Sequence, residues 1–139
     1  MTKLVSIVMP VYHEGDAVVP YVDQIMDAMD EPFEVLVVHD TLDDSTLPAL
    51  ERYDPTIVKP TLNTYGRGPA FAIRYGLDAA AGDVAVVTMS DGSDMASQIP
   101  EMARLVRSGN SVVAGSRYMR GGRQEGGPKL KGLISRAAG

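Results

Sequence analysis

Cysteine is absent from this chain of 139 residues, which excludes disulfide frameworks and thiolate-held metals and leaves a reducing cytosol as the expected compartment. No segment approaches the roughly 20 consecutive apolar residues that a membrane-spanning helix needs. Met1, Thr2 and Lys3 run straight into a strand-like segment, with Asp16 soon after, so no secretory leader is expected. Internal repeats and low-complexity linkers are missing as well. Basic residues are scarce over most of the chain: residues 1–116 hold 7 Lys and Arg against 17 Asp and Glu. That acidity argues against nucleic acid as a partner. The balance inverts in residues 117–139, where 6 basic residues face Glu125 alone, and the whole chain carries a net charge of −5. Such a basic end is either a solvated tail or a surface for phosphate, on a substrate or at an anionic membrane face.

What is present is ordinary for one globular domain, with 45% hydrophobic and 22% charged residues. Valine-rich runs at residues 4–10 (LVSIVMP), 33–38 (FEVLVV), 56–59, 84–89 (VAVVTM) and 111–114 read as strands. Most are continuously apolar, as strands buried on both faces should be. Helical spacing relates Val22, Ile25, Met26 and Met29, then Ala70, Ile73, Leu77 and Ala80, then Ile99, Met102, Ala103 and Val106. Ser97 is the expected N-cap of the last set, and residues 46–53 make a shorter helix with Pro48 near its start. This alternation predicts an α/β domain with a mostly parallel sheet and helices on both faces. Glycine and proline then crowd residues 120–128 (RGGRQEGGP), which reads as a loop, with a short basic helix over 130–138.

Ligands of open parallel sheets bind beyond the carboxyl ends of the strands. Five polar stretches fall there. After the first strand, Pro10, Tyr12 and Glu14 combine a rigid end, a flat face for stacking and an acceptor for a base or ribose, although a capped turn would look alike. His13 reads as a solvated loop histidine. After the second strand, Asp40 is placed to accept from a ribose hydroxyl or base amine; Asp43, Asp44 and Ser45 are candidate helix caps, with Asp43 and Ser45 preferred. The third stretch, residues 63–68, sets Gly66, Arg67 and Gly68 at a helix start, fitting either an approaching anion or a plain glycine turn. It matches neither a P-loop nor a dinucleotide fingerprint. The fourth, residues 90–94, offers Ser90, Asp91, Ser93 and Asp94 as oxygen donors for a hard cation, or as a capped turn. In the fifth, Arg117 ends a strand as a bidentate phosphate ligand.

In this order, the stretches resemble family-2 glycosyltransferases of the GT-A fold, and among them the dolichol- or polyprenyl-phosphate mannose synthase-like enzymes. The family's P-x-Y-N-E matches Pro10-Val11-Tyr12-His13-Glu14, and its V-V-D-D-G-S-x-D-x-T matches residues 37–46, with Asp40 and Asp44 kept and His39 in place of the first acid. N-x-G-x-G-x-A is similar to residues 63–70, A-x-G-D matches Ala80-Ala81-Gly82-Asp83, and G-S-R-Y stands unchanged at residues 115–118. The D-x-D metal motif aligns with Met89-Ser90-Asp91, so its first carboxylate is missing.

The resemblance implies an inverting transfer from a GDP- or UDP-linked sugar. Pro10, Tyr12, Glu14, Asp40, Arg67, Ser90 and Asp91 would bind the nucleotide sugar, and Asp91 with Ser93 would hold Mg2+ or Mn2+. Asp91, Asp94 and Arg117 would form the catalytic set, with Asp94 as base should the acceptor be a hydroxyl. Arg117, Arg123 and Lys129 would grip phosphate of the donor or of a polyprenyl-phosphate acceptor, putting the protein at the inner membrane face. Residues 1–119 would be the nucleotide-sugar domain and 120–139 the basic loop and start of an acceptor-side helix. The family's domains run on for roughly 80–100 residues past G-S-R-Y, so the acceptor side is expected to lie largely outside this sequence, and an uncovered edge or face would favour a homodimer. Two other readings stand beside this one. A nucleotidyltransferase would want a basic residue in a glycine-rich loop after the first strand, and residues 10–16 have none. A non-catalytic nucleotide-binding or assembly module would bind nucleotide without transfer.

Overall fold

The computed structural model of the protein describes residues 3–90 and 96–109. Four strands, β1 (Val5–Pro10), β2 (Phe33–His39), β3 (Val58–Leu62) and β4 (Val84–Val87), form one sheet in the order β3-β2-β1-β4. Every pairing is parallel; Ile7 stands opposite Val35 on one side and Val86 on the other. Parallel neighbours need crossovers, and α1 (Val19–Ala28), α2 (Thr46–Leu50) and α3 (Pro69–Ala79) lie in them, with α4 (Ile99–Arg107) after β4.

The alternation of side chains along each strand divides the core. Val5, Ile7, Met9, Val35 and Val37 face one side, where Tyr21, Val22 and Ile25 of α1, Leu50 of α2 and Ile99 and Ala103 of α4 cover them. Val8, Leu36 and Val38 face the other side and pack with Ala72 of α3. Gly76 brings that helix close: a Cβ there would lie 2.4 Å from Val8 Cγ1. Helices therefore cover both faces, as the valine runs predicted.

Several boundaries differ from expectation: β1 begins at Val5 rather than Leu4, β2 runs one residue further to His39, and the helix expected over 46–53 ends at Leu50. β3 begins at Val58 rather than 56 and continues through Pro60 to Leu62. Among the described residues it pairs only with β2, and an edge strand tolerates a residue with no N–H to donate. The N-cap of α4 is Gln98, with no side-chain capping bond, because Ser97 lies within a 3-10 turn, Ala96–Gln98. β4 is regular only to Val87, although the Thr88 N–H still reaches the Val8 carbonyl at 2.9 Å. The expected strand at 111–114, the loop at 120–128 and the basic helix at 130–138 lie outside the described residues.

Candidate functional site

β2 and β3 extend the sheet to one side of β1, and β4 to the other, so the strand order reverses at β1. Crevices open at such switch points, beyond the carboxyl ends. A cavity of about 490 Å³ lies there, lined by Pro10, Val11, Tyr12, Glu14, Asp40, Arg67, Gly68, Pro69, Ala72, Met89 and Ser90. Six of the seven residues expected to bind the nucleotide sugar, Pro10, Tyr12, Glu14, Asp40, Arg67 and Ser90, thus share one space although they come from the end of β1 and four separate connections. Asp91, Ser93, Asp94, Arg117, Arg123 and Lys129 lie outside the described residues. Among the described residues there is no group of three or more His, Asp or Glu suited to a metal, and no helix is long and apolar enough to cross a membrane.

The loop after β1 is pinned to the loop after β2. His13 has φ 50°, a left-handed conformation that asparagine, the family's residue here, adopts readily. Its N–H donates to both Asp44 oxygens, at 3.1 and 3.0 Å, and its Nδ1 accepts the Ser45 N–H at 3.2 Å. The next N–H, of Glu14, donates to Thr46 Oγ1 at 2.9 Å. His13 is therefore a bonded member of the turn and not merely solvated. Asp44 also accepts the Thr46 N–H at 2.8 Å, which corrects the capping assignment. Ser45 occupies the N-cap position of α2 without a side-chain cap bond, and Asp44, not Asp43 or Ser45, satisfies the helix start. Burial would raise the Asp44 carboxyl, but the bonds from Thr46 and His13 outweigh it and hold the group below its usual value. Tyr12 stays 65% exposed, its ring edge-on to that of His13.

Asp40 is also held at both oxygens. Oδ1 accepts from Asn63 Nδ2 at 2.8 Å and Oδ2 from the Gly68 N–H at 3.0 Å. Gly68 is the N-cap of α3 at φ 106°, followed by Pro69, which has no N–H. The glycine turn fitted either an approaching anion or a plain turn; the carboxylate that Gly68 binds is the protein's own Asp40, a favourable place for negative charge. His39, where the family has an acid, is buried, and its Nδ1–H donates to the Thr41 carbonyl at 2.8 Å. At the fourth wall, buried Ser90 follows Met89 after β4, and Thr88 just before them is hydrogen-bonded to Tyr21 of α1.

The A-x-G-D stretch lies at the opposite end of the sheet. Gly82 approaches β1 so closely that a Cβ would sit 2.2 Å from the Leu4 carbonyl oxygen. Its N–H donates to Ser6 Oγ, which donates to Glu34 Oε2 at 2.6 Å, while Ala81 N–H and Lys59 Nζ also reach Glu34. Burial pushes the Glu34 carboxyl up, yet these partners prevail and hold it low. Asp83 accepts the Leu4 N–H and takes Arg107 bidentately, and Arg107 also pairs with Glu31. The Arg107 guanidinium holds the Asp83 carboxyl well below the usual range. This motif ties the α3–β4 connection to β1, β2 and α4 at the end of the sheet opposite the cavity, and its part is structural.

An open parallel sheet with a cavity at its switch point defines a doubly wound type of α/β domain, in which ligands bind at that crevice. The chain belongs to glycosyltransferase family 2: residues 6–135 match the family model described as Glycosyl transferase family 2. It is 32% identical over 136 residues to a dolichol-phosphate mannosyltransferase of Pyrococcus furiosus, covering 96% of this chain and 39% of that protein. The chain thus spans about two fifths of that relative's length. Among solved structures it is similar to the mannosyltransferase PcManGT of Pyrobaculum calidifontis in complex with GDP-Man and Mn2+, with TM-score 0.60, 26% identity and coverage of 79% of this chain and 33% of that one. S. aureus TarS in complex with UDP-GlcNAc gives TM-score 0.60 and 25% identity over 77% of this chain and 32% of that one. These likenesses confirm the GT-A type of fold that the ordered motifs implied.

Proposed function

We propose that the cavity holds a nucleoside diphosphate sugar and that this chain supplies the donor side of a hexosyl transfer, with a polyprenyl phosphate as the acceptor. The observation that carries the reading is the convergence of Tyr12, Glu14, Asp40, Arg67 and Ser90 on one cavity at the switch point. The relatives support it: one is named a dolichol-phosphate mannosyltransferase, and two solved neighbours hold GDP-Man with Mn2+ or UDP-GlcNAc.

Tyr12 offers its exposed face to the base, and Glu14 and Asp40 accept hydrogen bonds from ribose hydroxyls or base amines. Arg67 and Arg117 take diphosphate oxygens, and Arg123 and Lys129 meet the acceptor's phosphate. Oxygen donors at the end of β4 suit a hard cation: Ser90 lines the cavity and Asp91 follows it in the chain. Asp91 with Ser93 would hold Mg2+ or Mn2+, which supplies charge neutralisation for the departing diphosphate. An acceptor phosphate oxygen attacks the anomeric carbon in line. The bond from that carbon to the diphosphate breaks, and the nucleoside diphosphate leaves with the electron pair, inverting the centre. A phosphate acceptor is already anionic and needs no base; a hydroxyl would pass its proton to Asp94.

Calorimetric titration with UDP, GDP and their sugar conjugates, with and without manganese, tests this reading. Metal-dependent binding that Asp91→Ala abolishes is expected. Absence of binding by any of them overturns it, and binding without sugar transfer by a chain supplied with polyprenyl phosphate favours a non-catalytic module. The reading extends to a peripheral position at the cytoplasmic membrane face through the basic residues of 117–139, and to a homodimer. Flotation with anionic vesicles and sedimentation check these, with unbound vesicles and a concentrated monomer as the contrary results.

A further inference from the structure

Asn63 does not line the cavity, yet its side chain is committed to a residue that does. It is buried, at 6% exposure, and its backbone N–H is fixed to the His39 carbonyl at 2.8 Å. The amide oxygen accepts the Tyr65 N–H at 2.9 Å, and Nδ2 donates to the Gly66 carbonyl and to Asp40 Oδ1. Two of those three bonds close the turn by themselves. The third leaves the turn and reaches across to the loop after β2, so closing the turn does not account for it.

We propose that Asn63 is a positioning residue for nucleotide recognition, fixing the Asp40 carboxylate together with the Gly68 N–H; the inference rests on the donor-site reading above. An aspartate side chain rotates about two bonds, and a single donor leaves it a choice of orientations. Donors on both oxygens remove that choice. A carboxylate has about four lone-pair sites, so Asp40 keeps capacity for a ligand's hydroxyl or amine after accepting both bonds. The residue type matters at position 63. An amide donates to Asp40 and Gly66 while accepting from Tyr65, whereas an isosteric aspartate has no N–H and sets a like charge against Asp40.

The test measures the affinity of the 139-residue chain for UDP and GDP with manganese, in wild type, Asn63→Ala, Asn63→Asp, Asp40→Ala and the Asn63→Ala/Asp40→Ala double variant. Thermal midpoints of all five report folding separately. Asn63→Ala is expected to weaken the preferred nucleotide about tenfold, and Asn63→Asp at least as much despite its matching shape. Loss of packing alone would lower affinity regardless of Asp40. The positioning role instead predicts that Asn63→Ala costs nothing further once Asp40 is alanine. Affinity unchanged in Asn63→Ala, or penalties that add in the double variant, overturn the positioning role alone. Wild-type chain that binds neither nucleotide overturns the donor reading and this role with it. If Asn63→Ala unfolds, Asn63→Asp and Asn63→Ser carry the same comparison; and in any folded variant the Gly68 amide is expected to exchange faster, an unchanged rate counting against the proposal.

Discussion

The carboxylate of Asp44 receives the backbone N–H of His13 on both of its oxygens, at 3.1 and 3.0 Å, and so fixes the loop after β1 against the loop after β2. Neighbouring Glu14 and Tyr12 line the cavity from that loop, and the helix start at Thr46 depends on the same carboxylate. One buried acid serves both helix capping and the shape of the site.

Asp44→Ala is therefore expected to cost about 2 kcal/mol, combining a lost cap with unpaired backbone donors, and to weaken nucleotide binding. Because its folded-state pKa is depressed, Asp44 stabilises the protein above the ordinary aspartate value of 3.8, and that contribution disappears as pH falls through it and below. Acid titration of the wild type and Asp44→Ala, followed by thermal midpoint, should show two curves converging at low pH. A constant gap down to pH 2 would contradict the assignment.

At position 13 the backbone conformation, φ 50°, sets the preference. His13→Asn is expected to change stability by less than about 0.5 kcal/mol, whereas His13→Val, β-branched in the left-handed region, should cost about 1–2 kcal/mol. Chemical denaturation of the two variants checks this, and equal midpoints would contradict it.

Gly82→Ala should be the most damaging small substitution at the amino end of the sheet, because the added carbon meets the Leu4 backbone oxygen at 2.2 Å. A loss of about 3 kcal/mol or failure to fold is expected. The obstacle at Gly76 is the side chain of Val8, which can shift more readily than backbone. Gly76→Ala should accordingly cost less, and denaturant midpoints in the reverse order would contradict this.

Tyr12 is largely exposed, so Tyr12→Ala should leave the thermal midpoint nearly unchanged. If its ring stacks on a base, nucleotide affinity should fall about tenfold or more and Tyr12→Phe should retain it. Equal affinity of wild type and Tyr12→Ala would remove the stacking role.

Much of this was legible in the sequence because buried parallel strands write themselves as valine runs, and because polar residues after them belong at the carboxyl edge. Pro60 hid the true extent of β3: nothing local says that a strand lies at an edge, where a proline costs little. Asp43, Asp44 and Ser45 are equivalent caps by composition, and only the approach of His13 from 31 residues away selects Asp44. Asn63 was visible as a family-like residue, but its bond to Asp40 spans 23 residues and two loops. The role of A-x-G-D was likewise obscure, since Gly82 is required by a contact with Leu4 that is local only in the folded chain.

The central claim, a nucleotide held at the switch point, is tested most directly by mapping backbone amide shifts of labelled protein during titration with UDP or GDP and a diamagnetic Mg2+ salt. Saturable changes at Val11, Tyr12, Glu14, Gly68, Ala72 and Ser90 are predicted, with Ala81 and Gly82 at the far end of the sheet unmoved. Shifts centred on Ala81 and Gly82, or none with either nucleotide, would contradict it.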